Sequence, residues 1–305
     1  MNRPKSPPRR RIDGVLLLDK PSGLTSNDAL MRAKRLFNAA KAGHTGTLDP
    51  MATGLLPVCF GEATKFAGEL LTADKRYEAV IRLGVRTDTA DAEGRVLEAR
   101  AVNVSAQEVE AALARFRGDI QQVPPMHSAL KRDGRPLYAY ARAGIELERA
   151  PRAVTIHALD LRHFAGDTLE VSVTCSKGTY VRTLAEDIGG FLGCGGHLAA
   201  LRRVGIGPLR PDAAVTLADL EEMAPERRDV LLRPADALLV GLPPLHLDGL
   251  ATMRFLHGQA VPGGAVLAAG LLRIYSSEGR FLGVGRTGPE GLVAPLRLLA
   301  SSLEI

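Results

Sequence analysis

The chain has 305 residues, enough for about two domains, and its 46% hydrophobic and 24% charged content is ordinary for a folded protein with a core of normal size. Thirty-nine Lys and Arg against 34 Asp and Glu leave a formal charge of +5 and a pI near 9.3, an excess that suits a polyanionic partner such as nucleic acid. Three scattered cysteines, Cys59, Cys175 and Cys194, contain no CxxC pair. That argues against a paired-cysteine zinc site and a disulfide framework, and the three read as small buried apolar residues in a reducing compartment.

The first residues, MNRPKSPPRRRIDG, are basic and proline-rich. Residues 1–12 read as a disordered basic tail. GVLLL after it is too short for a signal-peptide core, and no apolar run reaches the length of a membrane helix. A cytoplasmic protein with no membrane partner is expected.

GVLLLDKPSG reads as a short buried strand and a turn. Ser26 is expected to cap a helix whose apolar face is Ala29, Leu30, Ala33, Leu36 and Phe37. Tyr77, Ala79, Ile81 and Leu83 alternate with polar positions and predict a strand. Ser105 and Glu108 form a capping box before Val109, Ala112, Leu113 and Phe116, so a helix follows. Residues 124–152 form a long arm rich in Arg, Lys, Tyr, Pro and Gly, with only a short helical stretch. Leu169, Val171, Val173 and Cys175 predict another half-buried strand. It leads through SKGTY into a helix with Val181, Leu184, Ala185 and Ile188 inward, expected to stop at Gly189-Gly190.

From about residue 241 aromatics are few, glycines are many, and the short strands LLRIY, FLGVG and GLVAPL appear. This predicts a separate small β domain over 241–305, after a main domain over 13–240. The main-domain strands alternate and do not read as continuous apolar runs. An α+β fold is therefore expected, with a mixed, mostly antiparallel sheet and packed helices.

The segment HTGTLDPMATGLLPV, at 44–58, carries one acid, Asp49, between Leu48 and Pro50. An isolated Asp-Pro pair reads as a helix start, Asp as cap and Pro in the first turn. No second His lies at metal-ligand spacing from His44, and no GxxxxGK[ST] phosphate loop occurs.

Six segments in order change that reading. LLLDKPSGLTS (16–26), GHTGTLDPMATGLLPVCFGEATKF (43–66), KRYEAVIRLGVRTDTADAEGRV (75–96), PPMHSALKRDGRPLYAYAR (124–142), CSKGTYVRTLAEDIG (175–189) and LRRVGIGPL (201–209) resemble the motifs of the TruB-type tRNA pseudouridine synthases. The resemblance implies a pseudouridine synthase-like core with a small PUA-like C-terminal domain. It implies isomerisation of uridine at position 55 in the T loop of tRNA, with no cofactor and no metal.

By the same resemblance, Asp49 is the catalytic carboxylate and Arg182 its cationic partner. Tyr77 stacks on the target base and is placed for proton transfer, Tyr180 and Leu201 line the pocket, and His44 fills the space left by the flipped nucleotide. Lys20 and Pro21 shape the pocket floor. The arm over 124–152, with Lys131, Arg132, Arg135, Arg142, Arg149 and Arg152, is expected to clamp the tRNA, and Gly134 and Gly144 would let it move. On periodicity alone Tyr77, Tyr180 and Leu201 are ordinary core residues, and Arg182 is the solvated face of a helix.

Three departures stand out: His127 where many relatives carry Tyr, and Val204 and Ile206 where residues are often polar. A tRNA-binding folding chaperone would keep the arm and the small β domain, but only an enzyme needs Asp49, Tyr77 and Arg182 together. The guide-RNA particles of archaea and eukaryotes use relatives without the long arm, so PPMHSALKRDGRPLYAYAR favours the stand-alone type. A monomer without an obligate protein partner is expected.

Overall fold

The computed structural model describes residues 8–264 and 270–299. Most of the tail expected over 1–12 lies outside the described residues. Its last part lies against the protein: Arg10 exchanges backbone hydrogen bonds with Asn38 and Ala40 and pairs with Asp229.

Among the described residues a nine-stranded mixed sheet forms the main body. Its order is Val215–Thr216, Gly14–Lys20, Thr53–Phe60, Gly196–Ile206, Lys75–Leu83, Thr168–Cys175, Arg152–Ala165 and Gly118–Gln122, with Ala42–His44 attached to Thr53–Phe60. Two pairings are parallel, Gly14–Lys20 with Val215–Thr216 and Thr53–Phe60 with Gly196–Ile206; the rest are antiparallel. The expected α+β fold with a mostly antiparallel sheet is what forms.

The uninterrupted GVLLL run has a simple cause. Side chains alternate across a strand, and here both faces are covered. Val15 and Leu17 enter one apolar cluster with Leu55, Phe66 and Leu238. Leu16 and Leu18 enter another with Ala29, Ala33, Phe37 and Leu220. The strands Lys75–Leu83 and Thr168–Cys175 keep strict alternation because one face is dry and the other wet. Ala79, Ile81, Leu83, Leu169, Val171, Val173 and Cys175 pack under the helices Ala106–Arg115 and Val181–Phe191. All three cysteines are free and buried.

Two helix ends differ from expectation. Thr25, not Ser26, caps Ser26–Leu36, through a capping box with Asp28. The hydroxyl of Ser26 is engaged elsewhere. The helix Val181–Phe191 runs through Gly189 and Gly190 and turns at Gly193, whose φ is +78°. Gly189 is there for closeness: a Cβ on it would sit 2.3 Å from the Gly196 nitrogen.

Residues 124–152 carry a two-strand hairpin, Lys131–Arg132 with Arg135–Pro136, and the short helix Leu137–Arg142. Arg149 donates to the Pro124 carbonyl at 3.1 Å and ties the two ends of the arm together.

Beyond Gly241 five strands form a second sheet, in the order Pro244–Leu247, Leu271–Ser276, Phe281–Thr287, Leu292–Leu298, Val261–Pro262. The helix Gly249–Leu256, which sequence periodicity did not reveal, closes its core of Phe255, Leu272, Ile274 and Val293. This unit docks on the main body through Val284, the edge contact of Phe66 with Phe281 (centroids 5.4 Å apart), and Tyr275, whose hydroxyl donates to Asp236 at 2.6 Å. No helix among the described residues is long and apolar enough to cross a membrane.

Candidate active site

Asp49 is not a helix cap. The residues after it make one turn, with the Ala52 N–H donating to the Asp49 carbonyl at 3.1 Å, and then enter the strand Thr53–Phe60. The loop bearing Asp49 is held from below by the opening turn of the chain. Ser26 Oγ accepts from the Leu48 N–H at 2.7 Å and donates to the Leu48 carbonyl at 3.1 Å. The Pro50 carbonyl accepts from the Gly23 N–H at 2.9 Å and from Lys20 Nζ at 3.2 Å, and the Met51 carbonyl accepts from Ser22 Oγ at 3.2 Å. Residues on both sides of Asp49 are thus fixed by groups about 25 positions upstream.

Lys20 is fully buried, and its ammonium also donates to the carbonyls of Pro21 and Leu24 at 2.8 and 2.6 Å. Burial brings its pKa down to about 8, against the pull of Asp49. The Lys20 ammonium is spent on the backbone beneath the loop.

Arg182 reaches Asp49 from the first turn of Val181–Phe191. Nη2 donates to Asp49 Oδ1 at 3.2 Å, while Nε lies 2.9 Å from Oδ2 as an ion contact without hydrogen-bond alignment. The same guanidinium donates to the carbonyls of Thr89 at 3.2 Å and His127 at 2.8 Å, and its Nη1 lies 3.5 Å from Asp91. The side chains of Arg182 and Asp91 are 5% exposed and that of Asp49 36%. Asp49 is therefore the open member of a buried charge cluster. Burial raises its carboxyl, Arg182 pulls it back, and Asp91 adds to the rise.

Asp91 was invisible in the sequence as a site residue. It sits in a turn where its carboxylate accepts from Thr89 Oγ1 at 2.6 Å and the Glu93 N–H at 3.1 Å. Gln122 was also missed. It is 1% exposed and clamps Tyr180, accepting from its N–H at 3.0 Å and donating to its carbonyl at 3.3 Å. His127 contributes its backbone carbonyl to Arg182, so the root of the arm is part of the site.

Tyr77 is half-buried and packs on the cluster that holds Leu48, Ala52 and Leu201. Leu201, 8% exposed, lies opposite Ala79 on the neighbouring strand. Asp49 acts electrostatically on both Tyr77 and Tyr180, whose phenols burial pushes up. Asp49, Arg182, Tyr77, Tyr180 and Leu201 therefore lie in one neighbourhood. His44 stands to one side, on Ala42–His44 opposite Val58. Burial, then Arg203, lowers its pKa, and its Nδ1 and the adjacent Thr45 Oγ1 are buried with no hydrogen-bond partner among the described residues. No group of three or more metal-ligating side chains occurs among the described residues.

Family models match the chain in succession: the N-terminal domain of TruB family pseudouridylate synthase over 34–181, the tRNA pseudouridylate synthase B C-terminal domain over 182–240, and the C-terminal part of pseudouridine synthase II TruB over 243–299. The chain belongs to the TruB family of pseudouridine synthases. Curated TruB relatives include tRNA pseudouridine synthase B of Dechloromonas aromatica (strain RCB), 59% identical over 95% of this chain and 96% of that protein. Another is that of Burkholderia mallei (strain NCTC 10247), 59% identical over 96% and 99%. Among solved structures, a Cbf5-Nop10-Gar1 complex matches with a TM-score of 0.71 at 27% identity, over 96% of this chain and 81% of that one. In this chain residues 16–26 supply the supports of the Asp49 loop, 43–66 supply the loop, and 175–189 supply Arg182.

Proposed function

We propose that the protein isomerises uridine to pseudouridine in tRNA, at position 55 of the T loop, with Asp49 as the reacting carboxylate and no cofactor. The observation that carries this reading is the Asp49–Arg182 pair: a partly exposed acid held by a buried guanidinium, beside the cluster that contains Tyr77 and Leu201. The 59% identity to curated tRNA pseudouridine synthase B over nearly the whole chain supports tRNA as the substrate. It also favours the stand-alone type over the Cbf5 type, which is 27% identical.

In the reaction the C1′–N1 bond breaks, the uracil turns, and a C1′–C5 bond forms. The C5 hydrogen leaves as a proton and N1 takes one up, so the product is an isomer. A carboxylate splits this into two easier steps. Whether it adds to the sugar, adds to the base or assists a glycal, the group must be ionised and aimed. Arg182 holds its charge and orientation. The base must first leave the stack, at a cost of a few kcal/mol. Tyr77 would stack on it and serve in proton transfer, Tyr180 and Leu201 would line its pocket, and His44, with its unsatisfied Nδ1, would occupy the vacated space. The basic arm over 124–152 would hold the RNA backbone, whose recognition runs through shape and phosphates.

Tritium at carbon 5 of uridine in an unmodified tRNA transcript tests the reading. The wild type should release one tritium per tRNA and Asp49→Asn none. Tight tRNA binding without release by the wild type would overturn it in favour of a folding chaperone.

A further inference from the structure

Arg203 is the largest fully buried side chain among the described residues, at 1% exposure. It lies on Gly196–Ile206 directly opposite Tyr77, at a register shift between Arg203 and Gly205 that leaves Val204 unpaired. Bulges of this kind re-aim side chains beside active sites. Its backbone also pairs with Gly54, whose φ of +98° and lack of a Cβ permit the approach, since a Cβ there would lie 2.4 Å from the Arg203 carbonyl oxygen. Nε donates to the Leu55 carbonyl at 2.8 Å and Nη2 to the Gly46 carbonyl at 3.1 Å. No carboxylate lies within ion-pair distance of Arg203 among the described residues.

A buried guanidinium without an acid is costly, and it stays charged. Two carbonyls fix it, one on the strand Thr53–Phe60 and one on the loop between His44 and Asp49, and it stands directly across from Tyr77 on the neighbouring strand. Its field reaches His44 and Lys20 as well. We propose that Arg203 is a positioning residue for Tyr77: a fixed cation, anchored on Leu55 and Gly46, that orients the phenol oxygen and favours the phenolate that accepts a proton. This rests on the proposed function, in which the proton lost from C5 needs an acceptor. The C5–H bond breaks, its electron pair returns to the ring, and the proton passes to the Tyr77 phenolate, which becomes the phenol and later returns the proton to solvent. Burial opposes a phenolate there, and Arg203 counters it.

The test places difluorotyrosine at position 77, which brings phenol ionisation into an accessible range, and follows it by fluorine NMR in the free full-length protein. Removing the cation in Arg203→Met should raise the ionisation midpoint by about 1 pH unit or more. Arg203→Lys, which keeps the charge, should stay nearer the parent and provides a folded comparison should the Met variant not fold. The single-turnover rate of pseudouridine formation with the natural tyrosine should show its rising limb moved to higher pH in the same order. An unmoved midpoint in Arg203→Met, or in Arg203→Gln should the Met variant not fold, would overturn the proposal and leave Arg203 a strand buttress. So would a moved midpoint with an unmoved rate limb. Full activity of Tyr77→Phe would instead overturn the role given to Tyr77 in the proposed function, a result the NMR titration does not produce.

Discussion

Arg182 holds Asp49 and, from the other side of the same guanidinium, Asp91. The two carboxylates lie 2.9 and 3.5 Å from it, and only Asp49 is open to the surface. One acid is positioned for chemistry while the other keeps the cation compensated whether or not Asp49 is engaged with substrate. This sharing makes the effects of substitution unequal.

Asp49→Asn should lower the single-turnover rate by at least about 10^4-fold, while tRNA affinity stays within a few-fold. Its melting temperature should not fall, because Arg182 keeps Asp91. A thermal melt beside the tritium-release assay checks both, and a variant that loses activity only by unfolding would contradict the assignment.

Arg182→Met should fail in both assays. It strands Asp91 in a buried site, and an uncompensated buried charge costs about 3–5 kcal/mol. Asp91→Asn should be milder, costing about 1–3 kcal/mol for the weakened hydrogen bonds of its turn, and should still slow the reaction by loosening Arg182. Chemical denaturation of the three variants ranks them, with Asp49→Asn the most stable.

Acidification should remove activity before it removes the fold. The raised Asp49 carboxyl puts the acid limb of kcat/KM above the range of an exposed aspartate. For the fold the sign is opposite. A carboxyl that binds its proton more readily in the native state than in the unfolded chain adds stability as pH falls, and that increment is lost as pH rises through the native value. The pH profile of kcat/KM and the pH dependence of the melt of wild type against Asp49→Asn test the two halves.

Ser26→Ala should lower kcat by about 10- to 100-fold with little change in tRNA binding. Its hydroxyl makes both hydrogen bonds to Leu48, the residue before Asp49. A rise in KM with unchanged kcat would assign Ser26 to binding instead.

On the arm, Lys131 is exposed and its ammonium has no hydrogen bond or ion pair among the described residues. If the arm grips phosphates, Lys131→Gln should reduce the slope of log affinity against log salt by about 1 and weaken all tRNAs alike. An unchanged slope would remove Lys131 from the RNA contact.

The sequence by itself carried the local half of this protein. Alternation in Leu169 to Cys175 gave a strand, the Ser105–Glu108 box gave a helix start, and the LLRIY, FLGVG and GLVAPL runs gave the second sheet, because these signals act between residues two to four apart. Asp49, Arg182 and Tyr77 were legible through family motifs. Other features belonged to the tertiary structure. Thr25 took the cap from Ser26 because Ser26 is committed to Leu48, and the helix ran on through Gly189, where Gly196 packs against it. Asp91, Gln122 and Arg203 are a turn acid, an edge glutamine and a strand arginine in the sequence. They join the site only when cross-strand register and contacts as distant as the 133 residues between Asp49 and Arg182 bring them into one neighbourhood, where burial turns ordinary side chains into fixed charges and donors.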